Sequence, residues 1–152
     1  MNRRLLLVAS LTTAATLAGC ASAPVPEDYA AEKPVLDLKT YFNGPLEAWG
    51  MFQDRGGAVV KRFHVRIQAD WQGDTGTLDE RFTWSDGTTS RRVWTIVQQA
   101  PGADGRKRYL GTADDVVGQA QGEAMGNALR WRYVLALPVD GKTYHVDFDD
   151  WM

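Results

Sequence analysis

From residue 46 onward, apolar and polar side chains alternate in short runs. Phe63, Val65 and Ile67 interleave with Arg62, His64 and Arg66, and Tyr133, Leu135 and Leu137 are answered by Tyr144, Val146 and Phe148 across a turn. A period of two marks a strand with one face buried and one in water. Glycine-rich turns punctuate these runs about every 8–15 residues, the pattern of an all-β sandwich or barrel. Eight strands are predicted, at 46–53, 58–69, 77–84, 88–98, 106–113, 116–122, 128–138 and 142–151. The fold class is therefore all-β, an antiparallel barrel or strongly curved sheet of about eight strands. Six tryptophans, five tyrosines and five phenylalanines agree with it, since aromatic residues favour strands.

Register follows from keeping the apolar set on one face. A two-residue type I′ turn at Asp140-Gly141 pairs Leu137 with Tyr144, Leu135 with Val146 and Tyr133 with Phe148, and on the other face Arg132 with Asp149. A three-residue loop would set Leu135 against His145, so the shorter turn is expected. Around Asp86-Gly87 the same criterion selects the three-residue loop Ser85-Asp86-Gly87 with a glycine bulge, which sets Leu78 against Trp94. It also sets Glu80 against Arg92, carrying a carboxylate and a guanidinium onto the apolar face. Between 114 and 127, Gly118, Gly122 and Gly126 are spaced as on a helix. Three glycines would cost a helix about 1 kcal/mol each relative to alanine, so a bent strand with close backbone approach is expected.

The first 45 residues follow other rules. Arg3 and Arg4 precede an apolar run from Leu5 to Leu17, too short to cross a ~30 Å hydrocarbon core as a helix. The run ends in Leu17-Ala18-Gly19-Cys20, which resembles a bacterial lipobox. Residues 1–19 are thus expected to be a lipoprotein signal peptide, removed to leave Cys20 lipidated at the new N-terminus. Cys20 is the single cysteine, so no disulfide competes for it. Ala21 after it, rather than Asp, favours the outer membrane, facing the periplasm, by resemblance to other bacterial lipoproteins. The two arginines fit a general secretory signal and also resemble a twin-arginine one. Residues 20–34 hold three of the six prolines and read as a disordered linker, able to extend ~40 Å in a polyproline-like form. Residues 35–152 form the β domain. A net charge of −2 and a pI near 5.6 argue against a nucleic-acid partner.

Several motifs occur in order in the body: Thr77-Leu78-Asp79-Glu80, Ser85-Asp86-Gly87 with Arg92 and Trp94, Gly111-Thr112-Ala113-Asp114-Asp115-Val116, Gly126-Asn127-Ala128-Leu129-Arg130-Trp131, and Phe148-Asp149-Asp150-Trp151-Met152. They resemble a family of bacterial lipoproteins defined only as a domain of unknown function. The resemblance runs from about Tyr41 to the end and implies a lipocalin-like (calycin-like) body. It carries no activity with it. Relatives continue past Asp149-Asp150-Trp151-Met152 into further strands, so the resemblance implies either a barrel short of its closing strands at the C-terminus, with an exposed edge, or an edge covered in some other way.

Candidate chemistry is sparse. There is no G-x-S-x-G elbow and there are two histidines, so nucleophilic hydrolysis finds no support and no enzyme activity is expected. His145, Asp147 and Asp149 share a strand face, but Arg132 opposite Asp149 puts a cation where a metal would sit. No metal and no cofactor is expected. Arg62, His64 and Arg66 read as the solvated face of a strand, or as a surface for anionic headgroups. The expected function is binding of a lipid, fatty acid or other apolar small molecule, with Glu80, Arg92, Trp84, Trp94, Trp131 and Tyr133 as ligand-binding candidates. The competing expectations are a solid barrel that docks on another envelope protein and, third, a lipid-modifying enzyme. For Glu80 and Arg92 the competing role is a structural ion pair tying one hairpin.

Overall fold

The computed structural model describes residues 23–152. They form one antiparallel sheet, β1 (Gly44–Gln53), β2 (Val59–Gln72), β3 (Thr75–Trp84), β4 (Thr89–Gln98), β5 (Lys107–Thr112), β6 (Ala120–Met125), β7 (Ala128–Val139) and β8 (Lys142–Trp151). Each strand pairs with its neighbour in sequence, and β1 and β8 are the two edges. The sheet curls strongly into a half-barrel, as the right-handed twist of paired strands demands over eight of them.

Both hairpin registers derived from the sequence are present. Leu78 faces Trp94 and Glu80 faces Arg92 across β3 and β4, with Gly87 at φ +82° closing the three-residue loop. Leu137 faces Tyr144 and Tyr133 faces Phe148 across β7 and β8, and Asp140 and Gly141 hold φ 49° and 75°, as a type I′ turn requires. The strand predicted at 116–122 is displaced. Paired strand runs from Ala120 to Met125, and Val116 makes only a single bridge to Leu135. Gly118, at φ +70°, and a turn closed by the Val116 N–H donating to the Ala113 carbonyl interrupt the ladder.

Val65, Ile67, Ala69, Leu78, Trp94, Ile96, Tyr109, Leu129 and Trp131 bury their side chains inside the curl. Trp131 lies across two strands that offer no side chain beneath it. A Cβ on Gly111 or Gly122 would come within 2.4 or 2.5 Å of its ring. This is the close backbone approach expected around Gly122.

The stretch expected to be an extended linker does not hang free over its described part. Pro26–Tyr29 forms one 3-10 turn with Pro26 buried, and Glu27 reaches the Arg106 guanidinium at 2.6 Å. Tyr29 rests against Trp151, and the Leu36 N–H donates to the Gly126 carbonyl at 2.8 Å. Burial of Pro26 and these polar contacts outweigh the freedom of a short segment. α1 (Leu38–Tyr41) follows, its N-terminus capped by the Asp37 carboxylate, which accepts from the Thr40 N–H at 3.0 Å. Leu38 then plugs the end of the half-barrel where the β2–β3 and β6–β7 turns lie, with Lys39 pairing to Asp74 at 2.6 Å. The lipobox and Cys20 fall outside the described residues.

Candidate functional site: the open end of the half-barrel

Among the described residues no helix covers the end opposite α1. Its inner wall is aromatic: Phe63 packs edge-on to Phe82 and Trp84 at 5.5 and 5.6 Å, Phe82 and Trp84 stack at 5.6 Å, and Phe52 of the edge strand leans on both Phe63 and Trp84. Phe63, Phe82 and Trp84 are half-buried and Phe52 is exposed. The Trp84 indole N–H donates to Ser90 Oγ at 2.9 Å, and Lys61 lies 4.7 Å above its ring while pairing with Asp86. Tyr133 and Phe148, stacked at 4.9 Å, form the facing wall.

Between the walls sits a polar group. Glu80 and Arg92 face each other in register, yet they do not form the expected pair. The Arg92 guanidinium turns to Asp115, donating from Nε at 3.0 Å and from Nη2 at 2.6 Å, and lies 5.9 Å from the Trp94 ring. Asp115 comes from the β5–β6 connection, fixed because its carbonyl accepts from the Ala136 N–H at 2.8 Å. Glu80 makes no side-chain hydrogen bond to another described residue. Burial pushes its carboxyl up to about 7, against the pull of Arg92 and with repulsion from Asp115 added. On β8, Asp150 lies beside the Tyr133 hydroxyl; burial raises the pKa of both groups.

The six sequence candidates thus separate. Glu80, Arg92, Trp84 and Tyr133 line the open half. Trp94 and Trp131 are 6% and 5% exposed and belong to the core, where Trp94 meets Trp131 and Tyr133 edge-on. Asp115 and Asp150 were missed. Parity with Val146 and Phe148 places Asp150 on the inner face, whereas Asp115 sits in an irregular segment with no period to read. Two surface depressions, one of about 380 Å³ over β6–β8 that reaches Tyr133 and Phe148 and one of about 550 Å³ beside α1 and Met152, do not include Glu80 or Arg92 in their lining. On the outer face the Arg132–Asp149 register is present, but Asp149 accepts instead from Arg130, at 2.7 and 2.6 Å.

Such a site can bind an elongated molecule with an apolar body and one polar end. No curated protein and no solved structure matches the chain. A family model does match it over residues 14–152, and the chain belongs to that family, described as "Protein of unknown function (DUF3833)".

Proposed function

We propose that this is a lipoprotein anchored through Cys20 in the outer membrane, facing the periplasm, whose half-barrel holds an amphipathic small molecule of lipid type. The observation that carries the reading is Glu80, a half-buried carboxyl whose pKa is raised by burial and which has no hydrogen-bond partner among the described residues, set beside an aromatic wall that stays partly exposed. A polar group in that position costs free energy unless something completes it. The apolar part of the ligand lies along Phe63, Phe82 and Trp84, and its polar end meets Glu80. Because Asp115 already neutralises Arg92, a head with N–H or O–H donors suits the site better than a free carboxylate. The module binds and does not turn its ligand over.

Native mass spectrometry of the full chain purified from its host tests this. A bound species of lipid mass is expected, retained at least ten-fold less by Phe82→Asp, which puts a charge on the apolar wall. Wild-type protein that is bare in every preparation overturns the reading.

A solid module that docks on another envelope protein is the second reading. It is favoured by the indole of Trp131 over Gly111 and Gly122, which fills the middle of the curl.

A further inference from the structure

The outer face of β1–β4 carries a charge pattern that the inner site does not use. Arg66, Arg81 and Arg91 stand directly opposite one another on β2, β3 and β4. Like charges in that relation repel, and all three side chains are more than half exposed. Arg62 lies on the same face, opposite Met51. Three carboxylates share the face with the four guanidiniums: Glu47, 3.3 Å from Arg66; Asp79, shared by Arg81 and Arg91 at 3.1 and 2.7 Å; and Asp70, exposed on β2 opposite Thr77. Over β5–β8 the arginines are better matched, with Arg106, Arg108, Arg130 and Arg132 paired among Glu27, Asp104, Glu123 and Asp149. This face therefore carries one more arginine than carboxylate, on a chain whose net charge is −2.

Beside the arginine row, Trp49 is 71% exposed and Met51 57%. Trp49 stacks one indole face on His64 at 4.9 Å. Tryptophan next to arginine is the composition of a protein surface at a membrane–water interface, where each basic residue adds about 1 kcal/mol toward an anionic leaflet.

We infer that this face docks on the surface of a bilayer containing anionic phospholipid, with Trp49 entering the headgroup layer and the arginine row meeting phosphates. Charge complementarity points to a bilayer as the occupant, and a short N-terminal segment, seated against β6 and β7, keeps the body near one. The inference rests here on the proposed anchoring: two residues, Ala21 and Ser22, separate Cys20 from the first described residue, three backbone steps that span about 10 Å at full extension. Phe52, exposed on the inner side of the same strand, would then bring the mouth of the aromatic trough close to the lipid.

Brominated lipids quench tryptophan only on contact, and Trp49→Phe isolates the contribution of Trp49. The full chain and its Cys20→Ser variant are mixed with vesicles of brominated phosphatidylcholine, alone or with phosphatidylglycerol added. Expected is Trp49 quenching in both chains with phosphatidylglycerol, lost in 0.5 M NaCl, and about thirty-fold weaker partitioning of Cys20→Ser when Arg66 and Arg81 are both changed to Gln. Vesicle-bound wild type with unquenched Trp49 overturns the docking face while leaving the anchor intact. Equal, salt-insensitive quenching on both vesicle types also overturns it, as does protection of Trp49 by a protein partner alone. Quenching in Cys20→Ser supports the face whether or not the anchor is correct. The salt titration on wild type reads the charge dependence even if the double variant fails to fold.

Discussion

Glu80 shows how one side chain can set the pH response of the whole fold. Its folded pKa of about 7 lies above the ordinary 4.5, so between these values the folded chain keeps a proton that the unfolded chain has released. Stability must therefore fall as pH rises through that window. Asp37, Asp79 and Asp149 act in the opposite sense. Hydrogen bonds from Lys107, Arg91 and Arg130 hold their carboxyls low, so their contribution disappears only in acid, below about pH 4. Glu80→Gln removes most of the slope and leaves a residue from Asp150, whose pKa is also raised. In urea titrations between pH 5 and 8, the variant is expected to gain on wild type as pH rises, by on the order of 2 kcal/mol at pH 8. Parallel curves across that range would remove Glu80 as the titrating group.

At the scale of elements, small and large residues are matched across strands. Gly50 faces Phe63, Gly76 faces Trp71 and Gly122 faces Trp131, each glycine leaving room for the ring opposite. Gly122→Ala drives a methyl into the Trp131 ring and is expected to destabilise the domain by about 1–3 kcal/mol in chemical denaturation. Combined with Trp131→Leu, the loss should be less than the sum of the two single changes, since both act on one contact. Purely additive losses would show that strain at Gly122 arises elsewhere. The same elements explain what could be read in advance. The β3–β4 and β7–β8 hairpins were legible because turn chemistry and side-chain parity each point to one register. The Glu80–Arg92 pairing was legible as geometry and failed as chemistry, because Asp115 outcompetes Glu80 for the guanidinium from a connection that has no alternation. Pro26 and Leu38 were hidden for a related reason. A short turn that docks by one or two side chains leaves no periodic trace, and prolines there look like those of a linker.

At the scale of the molecule, anchoring and folding separate. Residues from Pro26 to Tyr41 are held by their own contacts with the body, so the proposed lipid at Cys20 adds location and no stability. Cys20→Ser is expected to move the protein from the outer-membrane fraction without changing its melting temperature; wild-type protein found soluble after detergent-free lysis would end the anchoring proposal. The sheet itself has a consequence for how the chain reaches this state. Every ladder joins neighbours in sequence, from β1–β2 through β7–β8. Pairing therefore needs only the closure of short loops, whose entropic cost is small, and the contact order is low for an all-β protein, which favours fast folding. Strands can add one at a time to a growing edge as the chain emerges from its N-terminus. The contacts that must wait are those of the N-terminal segment, whose partners Arg106, Gly126 and Trp151 appear only after β4.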